Sequence, residues 1–286
     1  MAVDNILVTG ATGRVGRELV RLLLREGVAV RAATRHPARA RELFGDSVEV
    51  VELNYWHTET YDAALTWADR LFLVPPPFTP RAHEAIGPLL DWAVSTRVRH
   101  VVLLSGMAVP DDPELDLRRT ELHVMAQETE HTILRPNLYM QNVRPGFISR
   151  QAARDDQVIR LAAGEGQVSL VDVRDVAEVA ARVLTGDEGF GLELTLTGPE
   201  ALSMAEAVRR LEREAGWSLR YRAVDDEAFR LILLEEGWGQ GEAEVILELF
   251  RAIREGRRAP VHPDLPEFLG RPPRTFRDFA REIRVR

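Results

Sequence analysis

TGATGRVG, Thr9 to Gly16, stands between a short apolar run and an amphipathic stretch. Before it, Asn5 to Thr9 reads as a strand. After it, Arg14 to Arg25 carries Val15, Leu19, Leu22 and Leu23 on one helical face. Three glycines at a strand-to-helix junction have a physical meaning. Gly10 permits the tight turn, Gly13 lets the backbone approach a pyrophosphate, and Gly16 lets the helix pack close to the strand. Thr12 lies inside the turn, and the helix start at Arg14 and Val15 offers free N–H groups and partial positive charge to phosphates.

Outward from this turn, strands and helices alternate. Val28 to Ala33, Val48 to Leu53, Leu71 to Val74, Val101 to Ser105 and Thr132 to Arg135 read as short strands. Between them, Ala38 to Phe44, Ile86 to Ser95 and Leu117 to Thr129 read as helices. Such alternation specifies an α/β fold, a Rossmann doubly wound parallel sheet. After Pro136 the character changes. Leu202 to Glu214 and Glu242 to Arg254 are amphipathic helices, Leu219 to Val224 is a strand between them, and Ala259 to Pro273 is proline-rich and irregular. Val168 to Leu184 is expected to return to the first domain as a strand and a helix. The expected division is a dinucleotide-binding domain over 1–136 and 166–197, with a smaller C-terminal α/β substrate cap over 137–165 and 198–286.

Composition narrows the chemistry. The 286 residues are 45% hydrophobic, enough for a full core without staples. A net charge of −8 carries no basic footprint for nucleic acid. No apolar run is long enough to span a membrane, and no charged stretch with an apolar leader opens the chain, so a cytoplasmic protein is expected. With no cysteine there are no disulfides and no thiolate chemistry, and the histidines show no paired ligand spacing, so no metal is expected. All 37 basic residues are arginine, which excludes every mechanism that needs a lysine ammonium.

The end of the second strand, Arg31-Ala32-Ala33-Thr34-Arg35, bears on which cofactor fits. An NAD site needs an acid here to accept from the ribose hydroxyl. There is none. A guanidinium can instead hold a 2′-phosphate through two parallel bonds, so Arg35 is the first candidate for that contact and NADPH the expected cofactor. Arg14 and Arg39 are secondary candidates.

Further stretches, including LFLVPPP, VRHVVLLSGM, HTILRPNLYMQN, VSLVDVRDVAEVAARVL, LTLTGPEALSMAEA and GRPPRTFRDFARE, follow in order along most of the chain. With TGATGRVG they resemble the NmrA-like atypical short-chain dehydrogenase/reductase family, which includes flavin-free reductases of triphenylmethane dyes and quinones. The resemblance implies that Asn54 and Tyr55 border the adenine and that Val74 and Pro75 line the cofactor ribose. It implies that Ser105, Gly106 and Met107 face the nicotinamide, with Pro136 and Asn137 on the carboxamide side. Tyr139, Met140 and Gln141 would begin the substrate pocket, with Phe78 and Phe147 as lid residues. Asp172 and Asp175 match the family as packing or capping residues. The helix Glu121 to Gln127 puts His123 and Gln127 where ordinary short-chain dehydrogenases carry a catalytic tyrosine and lysine.

That departure selects the substrate. Hydride addition to a ketone makes an alkoxide whose conjugate acid is near water's pKa of about 15.7. Addition to a quinone makes a phenolate, conjugate acid about 10, a difference on the order of 8 kcal/mol. A missing acid therefore favours quinone-like or conjugated aromatic acceptors, an aromatic polyketide among them, over plain ketones. His123, with Ser105, is the expected catalytic group. The expectation is an NADPH-dependent oxidoreductase, without flavin, acting on a small aromatic molecule as a monomer or homodimer. The alternative of another class is an NmrA-type sensor that binds NADP without turnover.

Overall fold

The computed structural model describes residues 4–107, 109, 115–143, 157–216 and 218–284. The strands of the central sheet are β1 (Ile6–Val8), β2 (Val30–Thr34), β3 (Glu49–Glu52), β4 (Arg70–Leu73), β5 (His100–Leu104), β6 (Glu130–Pro136) and, much later in the chain, β9 (Glu193–Leu196). They form one seven-stranded sheet in the order β3-β2-β1-β4-β5-β6-β9. The pairs from β3 through β6 are parallel. The helices α1 (Arg14–Arg25), α2 (Pro37–Phe44), α3 (Tyr61–Leu65), α4 (Ala82–Ser95) and α5 (Asp116–Met125) connect them. This is the expected Rossmann-like α/β fold.

The strand order fixes where a ligand lies. From β1 the chain winds outward to β2 and β3, then returns to β4 on the other side of β1. That reversal opens a crevice at the carboxyl ends of β1 and β4. β1 is wholly buried, as a strand covered on both faces must be. Val15, Leu19, Val20 and Leu23 form the buried face of α1. Each large aliphatic side chain of that kind contributes roughly 1.5–3 kcal/mol.

The chain divides into two compact units. Residues 1–77, 81–135 and 173–195 form the first, and 78–80, 136–172 and 196–286 the second. The stretch after Val168 differs from expectation. β8 (Gln167–Val168) pairs antiparallel with β10 (Leu202–Ser203) inside the second unit. Ser169 N–H donates to the Arg258 carbonyl at 3.0 Å, again inside it. Only the helix α6 (Val173–Thr185) belongs to the first unit, where it packs on α1. The sheet's last strand is instead β9, a four-residue run too short for its pattern to stand out.

In the second unit β7 (Val158–Leu161) pairs in parallel with β11 (Arg220–Ala223). The helices are α7 (Met204–Ala215), α8 (Asp226–Glu235), α9 (Gln240–Arg254), α10 (Asp264–Leu269) and α11 (Phe276–Arg284). α7 begins with a capping box, in which Ser203 and Glu206 satisfy each other's backbone N–H. α10 lies within the stretch expected to be irregular. Its C-cap, Gly270 at φ 66, supplies the left-handed residue that ends so short a helix. No helix among the described residues is long and apolar enough to cross a membrane.

Candidate active site

The glycine turn is built by close contacts between backbone atoms. Gly10 has φ 58, a conformation that favours glycine, and Val74 lies directly beneath it. Gly13 N–H donates to the Gly10 carbonyl at 2.8 Å. A Cβ on Gly16 would stand 2.4 Å from the Gly10 carbonyl oxygen. Gly13 is the N-cap of α1, with no side-chain cap and no acid in the first turn. The first N–H groups of α1 are thus left for an outside acceptor, at the end where the helix field favours an anion. Thr9 Oγ ties the turn to β4 by donating to the Phe72 carbonyl at 3.0 Å and accepting from Val74 N–H at 2.9 Å. These features fit a dinucleotide pyrophosphate.

The adenosine end follows from the neighbouring strand ends. The Tyr55 hydroxyl reaches from beyond β3 to donate to the Val74 carbonyl at 2.7 Å. Burial pushes this phenol up to about 12, against opposing effects of Thr9 and the Arg35 charge, so it stays a donor at neutral pH. Arg35 is exposed at the end of β2 with its charge in reach of that hydroxyl, and no carboxylate pairs with it among the described residues. Asn54 Oδ1 accepts from Trp56 N–H at 3.1 Å, which leaves its amide NH2 as a donor. Gly10, Val74, Tyr55 and Arg35 are therefore brought together. Arg14 is exposed on the turn itself, and Pro75 follows Val74 directly.

Ser105 follows β5 at the same sheet edge, half-buried, with Gly106 and the buried Met107 next to it. Its hydroxyl donates to Glu121, which is fully buried on α5. Arg135 clasps the same carboxylate through Nε at 2.9 Å and Nη2 at 2.8 Å, and Arg118 adds a bond of 2.6 Å. Burial raises the Glu121 carboxyl, but the bonds from Arg135, Ser105 and Arg118 and the Arg135 charge outweigh it and hold it below its ordinary 4.5. A depressed folded value stabilises the protein above the unfolded value, and that contribution is lost as pH falls through the folded one. Thermal unfolding against pH should therefore drop below about pH 4.5 in the wild type. In Glu121→Gln that acid limb should be shallower; an unchanged limb would show that Glu121 does not set it.

His123 does not reach this cluster. Two residues along a helix is a rotation of about 200°, so with Glu121 facing the sheet His123 faces away. Its Nε2 meets Asp91 of α4 at 2.8 Å, and its ring lies edge-on to His83 at 5.3 Å. The structure thus places His123, expected to be catalytic, between α4 and α5 with its ring nitrogen on Asp91. His123→Ala should cost no more than a surface ion pair, about 0.2–1 kcal/mol, with turnover unchanged. A large fall in turnover without unfolding would restore the histidine to the chemistry.

The NAD(P)H-binding family model matches residues 10–187, more than half of the sequence. The chain belongs to this family. A (4-alkanoyl-5-oxo-2,5-dihydrofuran-3-yl)methyl phosphate reductase from Streptomyces griseus is 36% identical over 285 residues, 97% of each chain. The NAD(P)H azoreductase of Xenophilus azovorans is 32% identical over 280 residues, 96% of each. Among solved structures, Citrobacter triphenylmethane reductase complexed with NADP(H) matches with a TM-score of 0.81 and 21% identity, over 98% of this chain and 99% of that one. The protein is an NAD(P)H-dependent oxidoreductase.

Of the other expected site residues of this family member, several serve the interior of the second unit. Asn137 is buried, and its Nδ2 donates to Ser169 Oγ and to the Arg258 carbonyl, both at 2.8 Å. Its Oδ1 accepts from Leu138 N–H, so both its amide protons are engaged inside the protein. Pro136, which ends β6, is buried beside it. Met140 is fully buried in the core of the unit, which corrects its place in a substrate pocket. Tyr139 is half-buried and bridges to Val171, and Gln141 donates to Asp172 at 2.9 Å. Phe78 has φ 55 and packs edge-to-face on Trp238 with ring centroids 5.8 Å apart. Phe147 lies outside the described residues. No cluster of three or more potential metal ligands occurs among the described residues. Glu121 is absent from the expected site, yet Leu117, Glu121 and Val124 share the i, i+4, i+7 spacing of one helix face. A carboxylate in that row was the available signal.

Proposed function

We propose that the protein binds NADPH and transfers hydride to electron-poor conjugated acceptors: quinones, azo or triarylmethane dyes, and alkenes activated by two carbonyl groups. The bound nicotinamide supplies the hydride. The glycine turn and the start of α1 hold the pyrophosphate, Arg35 the 2′-phosphate, and Asn54 with Tyr55 the adenine side. Val74 and Pro75 border the ribose, and Ser105 and Gly106 the nicotinamide. Fixing donor and acceptor in one geometry supplies most of the acceleration.

The observation that carries this reading is the absence of an available acid at the end of β5, among the described residues of the first unit. The Ser105 proton points into Glu121, and His123 points away. An acceptor that becomes a stabilised anion, or a neutral molecule from a cation, needs no strong acid in the transition state. The Streptomyces griseus relative is named for a molecule of this kind, with a ring double bond beside two carbonyls. The Xenophilus relative is named an azoreductase, for a conjugated N=N acceptor.

The test is NADPH oxidation against a panel. Benzoquinone, an azo dye, a triarylmethane dye and an acyl butenolide should be turned over. Cyclohexanone should react at least about 100-fold more slowly, a small part of the difference in anion stability. Comparable rates for the plain ketone would overturn the proposal. Tight NADP binding with no turnover of any acceptor would favour the sensor.

A further inference from the structure

The buried carboxylate beneath Ser105 enters the reading above only as the acceptor of the Ser105 proton, although it sits in a costly position. We infer that Glu121 is a positioning residue, which turns the Ser105 hydroxyl proton inward so that Ser105 offers the nicotinamide carboxamide an acceptor and not a donor. The inference rests on the proposed placement of the nicotinamide against β5.

The bond count carries it. A carboxylate has about four acceptor positions. Here each oxygen of Glu121 takes two bonds: Oε1 from Ser105 and Arg135 Nε, Oε2 from Arg118 and Arg135 Nη2. No position remains for a proton, so Glu121 stays an anion and an acceptor. A hydroxyl has one proton, and charge-assisted bonds to carboxylates are among the strongest it can make. The Ser105 proton is therefore fixed, and what its half-buried oxygen presents elsewhere is lone pairs. A carboxamide NH2 is a donor, and such an oxygen holds it in one rotamer. A substrate carbonyl would meet the same lone pairs with repulsion.

The assembly is also set for permanence. Arg135 has a second partner, Glu193 at 2.5 Å, so the arginine and two glutamates neutralise one another with Arg118. Arg135 is the next-to-last residue of β6, the strand beside β5, and Ser105 N–H donates to the Leu134 carbonyl at 2.7 Å, which sets the height of Ser105 against that clasp. A carboxylate needed only for stability would not require the hydroxyl of a residue at the ligand edge.

The experiment compares binding of NADP+ with adenosine 2′,5′-bisphosphate, which lacks the nicotinamide, by calorimetry on the full chain. Ser105→Ala and Glu121→Gln should each weaken NADP+ by about five- to tenfold, one hydrogen bond's worth, and leave the bisphosphate unchanged. The double variant should lose no more than Ser105→Ala alone, because the two act as a unit. Ser105→Thr, which keeps the hydroxyl, should restore NADP+ affinity. If Glu121→Gln does not fold, Glu121→Asp keeps the charge but withdraws from Ser105, and should show the same selective loss. Additive losses, equal weakening of the bisphosphate, or unaltered NADP+ binding in the Glu121 variant would overturn the inference. A wild type that binds NADP+ but reduces no acceptor would sink the proposed activity and leave this comparison intact.

Discussion

Arg35→Asp should weaken NADPH by about two to three orders of magnitude and leave NADH within a few-fold of the wild type. The guanidinium of the residue directly after β2 is exposed and acts on the Tyr55 hydroxyl beside the glycine turn. On the proposed reading it is the group that meets the 2′-phosphate. Removing a charged hydrogen-bond donor loses about 1.5–3 kcal/mol. Introducing a carboxylate adds repulsion of about 1 kcal/mol at 4 Å in water. Together these amount to roughly 10²–10³ in affinity. NADH has no such phosphate, and an acid at the end of β2 can accept from its ribose hydroxyl. Because the site is exposed, stability should change by no more than about 0.5 kcal/mol. Titration of both cofactors at two salt concentrations is the measurement. The wild-type preference for NADPH should shrink as salt rises, since exposed charges are screened. Equal weakening of NADPH and NADH would remove Arg35 from the 2′-phosphate and turn attention to Arg14 or Arg39.

The parts of this molecule legible in its sequence are those governed by short-range rules. α1 is found over the expected residues because its glycine start and its apolar spacing both mark it. β5 and the strand before the three prolines lie within one residue of expectation, since buried parallel strands are plain apolar runs. Relations between distant residues were not legible. Val168 to Val171 reads as a strand wherever it goes, and its partners Leu202 and Arg258 decide that it stays in the second unit. α8, with its Asp225 cap and buried Phe229 and Leu233, follows a strand too closely to be separated from it by pattern alone. In the site, the resemblance placed His123 by alignment, whereas the helix phase relative to the sheet decides which side chain points in. That phase is set by Glu121, whose burial depends on Arg135, fourteen residues away in sequence. Asn137 and Met140 are polar and apolar examples of the same limit. Each lies where a pocket residue is expected, yet each is occupied by neighbours that sequence spacing does not reveal.

Gly16→Ala should weaken NADPH and NADH together, which separates the turn from Arg35. On propensity alone, alanine would improve α1 by about 0.5–1 kcal/mol. Sterics oppose that gain and prevail. The added Cβ would lie 2.4 Å from the Gly10 carbonyl oxygen, 2.9 Å from its carbon and 3.0 Å from Ala11 Cα. All three are backbone atoms, which cannot swing aside as a side chain would. Gly10 cannot retreat downward either, because Val74 is already 3.2 Å from the place of its own Cβ. The turn must therefore move outward from α1, and overpacking of this kind costs typically 1–3 kcal/mol. The same movement displaces the N–H groups proposed to meet the pyrophosphate, which every dinucleotide carries. A misplacement near 1 Å is worth on the order of 10²-fold in turnover, with both affinities falling in parallel. Gly27→Ala is the control. Gly27 has φ 71 with nothing within 4 Å of its Cβ, so alanine there brings strain of about 1–2 kcal/mol and no contact with the turn. The two variants should lose similar thermal stability, while only Gly16→Ala loses the cofactor. If Gly16→Ala bound both dinucleotides as tightly as Gly27→Ala does, the N-terminal turn would not be the phosphate cradle.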